Sequence, residues 1–333
     1  MSMRLQTLPR GHSRLLGVGA YRPRREVTNR EIGELVGTPE EWTEARSGIR
    51  GRRFAENDET LLMMATAAGR EALEHAGVNA SLLDQVIVAT CSNQVHVPAL
   101  ANAVAAELGA PSASGFDLNA ACAGFCYALS VASDRISLGQ AGYALVIGAE
   151  RMRDIVDPHD RGTSFLFADG AAGVVVGPSD VPEIGPTVQG SSADAVNAVR
   201  MSSLWADYES GPPAVEPKLM MNGKRVFRWA MTHVVPAARR AIEAAGLTPG
   251  DLAAFVPHQA NRRMIDIIAD ALGLAPDVVV AEDVRYSGNT SAASVPLALR
   301  RLIDEGNVKS GAPTLLMGYG AGLTYCGQVV LLP

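Results

Sequence analysis

The chain has 333 residues, of which 47% are hydrophobic and 19% are charged, and its formal net charge is −6 at pH 7. This length and composition allow a large buried core, in one large domain or in two fused halves. The acidic balance argues against a general nucleic-acid-binding protein, although it does not exclude a local basic patch.

The cysteines and the first residues of the sequence indicate the cellular compartment of the protein. Four cysteines, at positions 91, 122, 126 and 326, do not form the pattern of a secreted disulfide framework. Residues 1–12 carry charge and Pro9 but lack the apolar core of a signal peptide, and no stretch approaches the length of a membrane span. We therefore expect a cytoplasmic protein that is neither exported nor embedded in a membrane.

Strands and helices alternate along the first half of the sequence. Residues 14–21 are typical of a strand, and an irregular arginine-bearing segment follows them. The next segment predicts a helix with Thr38 as N-cap and Pro39 at its first position, which ends before Ser47. Further predictions are a helix over 60–75, a strand over 85–89, a helix over 98–108, a strand that ends at 115–118 and a helix over 123–138. The alternation favours an α/β architecture with mainly parallel strands.

The sequence also repeats itself. Three segments of the first half return in the same order in the second half: residues 70–78 as 239–247, 85–88 as 254–257, and 143–148 as 313–318. Because the offset is 169 or 170 residues each time, we infer a duplicated fold and not a chance similarity of alanine-rich helices. Glycines and prolines in 177–190 and 211–217 predict a connection and an inserted loop, and the halves are predicted to span residues 1–180 and 181–333.

Cys122 lies where the strand that ends at Leu118 meets the following helix. In the first turn of a helix, free backbone N–H groups and the helix dipole stabilise an anion, so we expect its thiolate to form more easily than that of a free cysteine. A nucleophile is one interpretation of this placement. Cysteine is also among the most buried residue types, and a role in core packing is the alternative.

Two further polar residues lie in small or apolar surroundings. His258 ends the buried strand predicted at 254–257, and Asn289 lies in the small-residue turn 287–290. Each alone is more often a structural residue. The internal repeat places both at the same sheet edge as Cys122, which is the edge where open α/β sheets bind ligands. An imidazole N–H and an amide N–H can both donate to one oxygen, so the pair is suited to hold developing negative charge.

The motifs around these three residues resemble those of the β-ketoacyl-acyl-carrier-protein synthase III family, which has the thiolase fold. They are residues 120–125 (AACAGF), 257–261 (PHQAN) and 288–294 (GNTSAAS). Similarity extends nearly end to end through residues 40–42 (EEW), 46–50 (RSGIR), 161–163 (RGT), 167–171 (FADGA) and 318–322 (GYGAG). The resemblance implies a five-layered αβαβα fold, a homodimer and the Cys-His-Asn subclass of condensing enzymes.

The resemblance also implies a mechanism. Cys122 would attack an acyl-CoA primer and carry the acyl group, and malonyl-acyl-carrier protein would then lose CO2 and add to it. His258 and Asn289 would bind the enolate oxygen, while the backbone N–H groups of Cys122 and Ala321 would hold the tetrahedral oxyanion. Ala321 stands where a glycine is frequent, which narrows the permitted backbone angles. The family needs no metal or redox cofactor, and its products begin fatty acid or aromatic polyketide biosynthesis, including that of antibiotics.

Binding residues follow from the same resemblance. The residues expected to bind coenzyme A are Trp42, Arg46 and Arg161 around the nucleotide, and Gly223, Phe227, Ala260 and Asn261 along the pantetheine tunnel. Those expected to bind the acidic carrier protein are Arg225, Arg228, Arg262 and Arg263, although exposed arginines are common without such a role. Val97 and Phe167 are expected in the acyl pocket. Val97 stands where relatives carry a bulky aromatic residue, often supplied by the dimer partner, so a roomier primer site for propionyl or branched groups is expected.

Other functions use similar residues. A cysteine hydrolase of the papain type also has Cys, His and Asn in this order, but its local cysteine signature is absent from the sequence. A binding module for acyl-CoA or carrier protein would have no reactive thiol. Acyltransferases of the same fold, which move the acyl group to oxygen or nitrogen, or condense acetoacetyl-CoA, form a third alternative.

Overall fold

Two five-stranded sheets form the framework of the protein. The structure, a computed structural model, describes residues 11–204 and 216–333. The expectations for residues 1–10 and for 211–215 of the predicted loop lie outside the described residues. In spatial order the first sheet contains His12–Tyr21 (β1), Asp169–Ser179 (β7), Ala144–Arg151 (β6), Gln85–Ala89 (β4) and Ser114–Leu118 (β5).

The second sheet has the same plan. In spatial order it contains Val188–Ser191 (β8), Thr324–Leu331 (β14), Pro313–Gly320 (β13), Ala254–Pro257 (β11) and Val279–Val280 (β12). Two ribbons complete the described strands: Arg25–Thr28 (β2) with Gly51–Phe54 (β3), and Val199–Met201 (β9) with Leu219–Met221 (β10). Each strand of the first sheet thus has a counterpart at the same place in the second.

The helices of the described residues are Asn29–Val36 (α1), Glu40–Ser47 (α2), Leu61–Ala76 (α3), Leu100–Leu108 (α4), Gly124–Ser137 (α5), Gly223–Ala244 (α6), Arg262–Leu272 (α7), Val284–Ser287 (α8) and Ser294–Asp304 (α9). Helices α3, α4, α5, α6, α7 and α9 pack on the faces of the two sheets, whereas α1, α2 and α8 pack around a smaller buried cluster beside the β2–β3 ribbon. Short 3₁₀ turns at Ala121–Ala123 and Ser291–Ala293 directly precede α5 and α9.

The buried side chains define five layers. One core lies between α3, α4 and the outer face of the first sheet, and it includes Ala68, Val104 and Ile147. A second core encloses α5 and α9 between the two sheets. A third lies between the outer face of the second sheet and helices α6 and α7, where Ile242 and Ile268 are buried. The duplicated, five-layered αβαβα arrangement predicted from the sequence is therefore confirmed.

The expectation of mainly parallel strands is wrong in one respect. β4 pairs in parallel with β5 and β6, as β11 does with β12 and β13. The other two pairs of each sheet are antiparallel: β7 with β1 and β6, and β14 with β8 and β13. Parallel neighbours need a long crossover, usually a helix, whereas β13 returns into β14 through the short turn Ala321–Leu323. The sequence repeat does not reveal which connections lack a crossover helix.

The repeated segments occupy equivalent elements. Residues 70–78 and 239–247 include the ends of α3 and α6, and the two later pairs lie in β4 with β11 and in β6 with β13. The division near residue 180 stays a prediction: β7 ends at Ser179, and the second sheet begins with β8 at Val188.

Local signals set most helix ends. Thr60 caps α3, and its side chain accepts a hydrogen bond from the Met63 amide at 3.1 Å. The prediction that Thr38 caps the preceding helix, α2, is wrong, because Pro39 is in extended conformation and occupies the N-cap position of that helix. That helix continues through Ser47 to Gly48, which ends it with a φ of 76°. None of the helices in the described residues is long and apolar enough to cross a bilayer.

Candidate active site

Cys122 lies in the 3₁₀ turn between β5 and α5. We call residues 119–123 the nucleophile turn. Ala121 adopts a positive φ of 46°, which is rare for a residue with a side chain. Its amide donates to the Asn119 side-chain oxygen at 3.2 Å, so the turn is held by a local side-chain contact.

The thiol of Cys122 is less acidic than the sequence predicts. Burial raises its pKa to about 12, and the nearby Glu150 carboxylate adds to the increase. The nearby Ser291 hydroxyl, whose proton is donated to Glu150, acts in the opposite direction but does not offset the burial. The expectation of a readily formed thiolate is therefore wrong for the protein alone, because loss of hydration outweighs the helix terminus.

His258 follows β11 and is fully enclosed, with 2% of its surface exposed. Burial lowers its pKa to about 3, so the ring is neutral at pH 7. Its Nδ1 lies 2.7 Å from the Ser294 hydroxyl, and the Tyr319 ring packs edge-on at 5.2 Å. When the hydroxyl donates to Nδ1, the ring proton sits on Nε2 and can be donated to a ligand.

Asn289 opens the turn before α9, which we call the mirror turn, residues 289–293. Its side-chain oxygen accepts from the Ser291 amide at 2.9 Å, and its backbone bonds to Leu166 and Ala168. Ser291 has a φ of 48°. With the oxygen occupied, the Asn289 amide N–H2 is the group left to donate to a ligand.

One cavity of about 1330 Å³ brings these residues together. Of the residues predicted for the site, its lining includes Cys122, His258, Asn289, Ala321, Trp42, Arg46, Arg161, Gly223, Phe227, Ala260, Asn261, Arg228, Arg263 and Phe167. Residues separated by up to 279 positions in the chain (Trp42 and Ala321) thus share one surface. A cavity of this size can hold an extended thioester ligand.

Three predicted residues do not line the cavity. Val97 is 85% exposed and faces away from its own chain. Arg225 donates to the Asp194 carbonyl. Arg262 pairs with Asp266 at 2.7 Å and with Glu282, so its charge is engaged within the protein.

Trp42 is flanked by cations. The guanidinium carbons of Arg46 and Arg161 lie 5.2 Å and 5.0 Å from the centre of its ring, and Phe165 packs edge-on at 4.9 Å. A core role for Trp42, the simplest structural alternative, does not explain why two arginines stack on it at a cavity wall.

Glycines allow the second half to approach Cys122. A Cβ at Gly320 would lie only 2.7 Å from the Cys122 Cβ and 3.1 Å from its amide nitrogen. The adjacent Ala321 does not have a positive φ, so the alanine is accommodated without backbone strain. The Gly320–Ala321 peptide therefore lies beside the nucleophile turn, as an oxyanion-binding N–H requires.

The sequence did not draw attention to several residues of the site. Cys91, Asn119, Ser291 and Tyr319 all line the cavity. Glu150, fully buried behind the mirror turn, was also missed. The repeat offers a signal for two of them, since Asn119 precedes Asn289 by 170 residues and Glu150 precedes Gly320 by the same number.

The described residues contain no group of three or more histidine, cysteine, aspartate or glutamate side chains that could hold a metal ion. The expectation that no cofactor takes part stays a prediction.

Comparisons with known proteins agree with the motifs. The family model for 3-oxoacyl-[acyl-carrier-protein] synthase III matches residues 116–193, and the model for its C-terminal part matches residues 242–332. Beta-ketoacyl-[acyl-carrier-protein] synthase III of Streptomyces lividans is 56% identical over 329 residues, which are 99% of this chain and 97% of that protein. The mycobacterial synthase III of Mycobacterium avium (strain 104) is 48% identical over 319 residues, or 96% and 95% of the two chains.

Solved structures give the same result. The priming β-ketosynthase from the R1128 polyketide biosynthetic pathway is 56% identical and superposes with a TM-score of 0.97, which covers 99% of this chain and 98% of that one. The 3-oxoacyl-[acyl-carrier-protein] synthase III from Aquifex aeolicus VF5 is 35% identical, with a TM-score of 0.87 over 96% and 99% of the chains.

Proposed function

The chain belongs to the 3-oxoacyl-[acyl-carrier-protein] synthase III family, and from this we propose that it joins an acyl-CoA primer to malonyl-acyl-carrier protein by decarboxylative Claisen condensation. The product begins the assembly of a fatty acid or an aromatic polyketide. The observation that carries the proposal is that Cys122, a neutral His258 and Asn289 meet in one cavity whose wall carries the Trp42 cation stack.

In the first step, the Cys122 sulfur attacks the thioester carbonyl of the primer. The new sulfur–carbon bond replaces the bond to coenzyme A, and the thiol proton goes to the departing coenzyme A sulfur. The backbone N–H groups of Cys122 and Ala321 stabilise the tetrahedral oxyanion. Two donors fixed before the reaction need no reorganisation when charge develops on that oxygen.

In the second step, the malonyl group loses CO2 and the electron pair of the broken carbon–carbon bond forms an enolate. His258 Nε2–H and the Asn289 amide donate to the enolate oxygen. The enolate carbon then attacks the acyl group on Cys122, and the sulfur leaves and recovers a proton from solvent. The neutral state of His258 suits this role, because a neutral ring keeps one N–H to donate without adding a buried charge.

Coenzyme A is proposed to bind with its nucleotide against Trp42, Arg46 and Arg161. An adenine ring can stack on the indole or on a guanidinium plane, and the arginines can also bind phosphate oxygens. The pantetheine arm would then pass Phe227 and Asn261 towards Cys122, since both residues line the same cavity.

The carrier protein is proposed to approach at the mouth of the cavity beside α6. Arg228 and Arg263 line the cavity there together with Lys224, and Arg225 lies on the same helix. Arg262, which the sequence places in this patch, is engaged by two carboxylates and contributes less charge. An acidic partner would be attracted to the remaining cations.

We also propose that the protein forms a homodimer through the edge of its first sheet. β5 is an edge strand of the first sheet, and its apolar residues Phe116 and Leu118 are only partly buried. Val97 and Val95 are 85% and 59% exposed in the segment before α4, whose Leu100 amide donates to Asp117 of β5 at 2.8 Å. A second copy would cover this edge and place Val97 at the partner's acyl pocket, where Phe167 lies. All four cysteines are free, and we propose a cytoplasmic location.

The test uses acyl-CoA primers with malonyl-acyl-carrier protein and follows both steps by mass spectrometry. The wild-type protein is expected to gain an acyl adduct on Cys122 and to release β-ketoacyl-carrier protein. His258→Ala is expected to form the adduct but to decarboxylate malonyl at about one hundredth of the wild-type rate. Equal loss of both steps would contradict the assigned roles, and turnover without any adduct would exclude the acyl-cysteine mechanism. Transfer of the acyl group to an alcohol or amine would instead identify an acyltransferase.

A further inference from the structure

Glu150 is a buried carboxylate that the proposed mechanism does not use. It lies at the end of β6 with none of its surface exposed. Its Oε1 accepts from the Ser291 hydroxyl at 2.9 Å and from the Ala292 amide at 3.4 Å, both in the mirror turn. Its carboxylate also accepts from the Cys91 amide at 3.1 Å. One side chain of the first half thus holds the turn of the second half that carries Asn289.

The carboxylate is satisfied by hydrogen bonds and not by a cation. The hydroxyl groups of Thr90 and Ser92 donate to its other oxygen, and the Cys91 thiol donates to Oε1 at 3.3 Å. No arginine, lysine or histidine forms an ion pair with it within residues 11–204 and 216–333, and the adjacent Arg151 pairs with Asp154 at 3.3 Å. Because no cation neutralises it, the carboxylate interacts strongly with these donors in the low-dielectric interior.

The contacts reach Asn289 in two steps. Glu150 fixes the hydroxyl of Ser291, which has a positive φ, and the amide of Ser291 in turn fixes the Asn289 side-chain oxygen at 2.9 Å. The direction of the Asn289 amide therefore depends on where Glu150 holds the mirror turn. Loss of this anchor would allow the strained residue to relax.

We propose that Glu150 is a positioning residue: through Ser291 it directs the Asn289 amide into the cavity. Its Oε1 holds the Ser291 hydroxyl and the Ala292 amide, and the Ser291 amide holds the Asn289 side-chain oxygen. This inference rests on the proposed function, because Asn289 acts there as a donor to the enolate oxygen.

The groups that face Glu150 come from three elements. The segment after β4 brings the Cys91 thiol, the mirror turn brings the Ser291 hydroxyl, and β7 places Gly170 opposite it. Burial raises the pKa of Glu150, and its hydrogen-bond donors oppose that increase. Six donor groups favour the charged form, in which the carboxylate can accept from all of them.

The test measures two rates of each protein by mass spectrometry: acylation of Cys122 by acyl-CoA and decarboxylation of malonyl-acyl-carrier protein. Glu150→Gln weakens the acceptor that holds the mirror turn, and Ser291→Ala removes the hydroxyl that Glu150 fixes. A purely structural role for Glu150 predicts that both rates fall together.

The readout is the rate of decarboxylation relative to the rate of acylation. Both variants are expected to lose about tenfold in this ratio, because the Asn289 amide is no longer directed. Glu59→Gln is the matched control: Glu59 is also fully buried and accepts from Tyr21, Arg24 and Glu56, but it does not line the cavity. Its ratio should equal that of the wild type.

The outcomes separate this inference from the proposed function. An unchanged ratio in both folded variants, or an equal loss of both rates, would overturn the positioning role of Glu150. Should Glu150→Gln not fold, Ser291→Ala decides: a lower ratio supports the inference, and a wild-type ratio overturns it. If the wild-type protein is acylated but decarboxylates no malonyl-carrier protein, the proposed function itself fails, and the inference falls with it.

Discussion

The nucleophile turn and the mirror turn lie 170 residues apart in the chain and have the same backbone conformation. Each begins with an asparagine whose oxygen accepts from the amide two residues later, and each then contains a non-glycine residue with a φ of 46° or 48°. Their surroundings differ. Cys122 is partly accessible in the cavity, whereas Ser291 and Ala292 are fully buried.

The difference arises from the strand that approaches each turn. Beside the mirror turn the strand carries Glu150, whose carboxylate fills the space and binds the turn. Beside the nucleophile turn the equivalent position is Gly320, which leaves space next to Cys122. In the mechanism that we propose, one turn carries the nucleophile and the other supports Asn289, and Glu150 against Gly320 is the difference in the strand that approaches them.

The largest expected effect comes from moving the nucleophile between the turns. Cys122→Ala should abolish acyl labelling and lower turnover by several orders of magnitude. Adding Ala292→Cys, at the equivalent position, should restore neither, because Ala292 is fully enclosed behind Glu150. Intact mass after incubation with acyl-CoA measures both proteins. An adduct on the transplanted cysteine would show that the turns are interchangeable.

The two asparagines provide the next comparison. Asn289→Ala removes a proposed donor to the enolate and should raise the decarboxylation barrier by on the order of 3 kcal/mol, or about 10²-fold, with acylation retained. Asn119→Ala loses only the local bond to Ala121 and should lower stability by about 1 kcal/mol. Single-turnover decarboxylation and urea unfolding measure these changes. Equal kinetic effects would mean that Asn119 also contacts the substrate.

Two glycines test how closely each strand packs on the turn beside it: Gly148 of β6 on the mirror turn, and Gly320 of β13 on the nucleophile turn. A Cβ at Gly148 would overlap the Ala292 carbonyl and lie 3.0 Å from the Ala293 Cα, so Gly148→Ala should lower the free energy of unfolding by about 3 kcal/mol. Gly320→Ala places its methyl group against the Cys122 side chain and should slow acylation more than it lowers stability. Thermal unfolding and acylation rates separate the two. The opposite ranking would contradict the division into support and reactive site.

The smallest effect concerns pH. The pKa of His258 is lowered from 6.5 to about 3 in the folded protein, so the unfolded state binds the proton first and stability falls as pH drops below about 6.5. Between pH 6.5 and pH 5 this loss is about 2 kcal/mol. Urea unfolding of His258→Gln should lack that part of the slope, whereas the exposed His12→Gln should keep it. Identical slopes would show that His258 is not buried as a neutral ring.

The repeat and the strand ends were sufficient to predict a duplicated α/β fold that brings Cys122, His258 and Asn289 together, whereas the five layers and the other cavity residues followed from the family resemblance of the motifs. The sequence could not predict the acidity of Cys122, since burial by the second half outweighs the local helix terminus. It also missed Glu150, because a single acidic residue at the end of an apolar strand becomes meaningful only once its partner turn is known. The engaged state of Arg262 and the outward direction of Val97 likewise depend on tertiary packing.

The stack of Arg46, Trp42 and Arg161 is formed by contacts within the chain. Long arginine side chains lose much rotational freedom when they bind a nucleotide, and packing on Trp42 already restricts these two. In the coenzyme A site that we propose, recognition would therefore depend on the fit of the base and phosphates and not on ordering the arginines. Successive coenzyme A thioesters would then bind to the same side-chain arrangement.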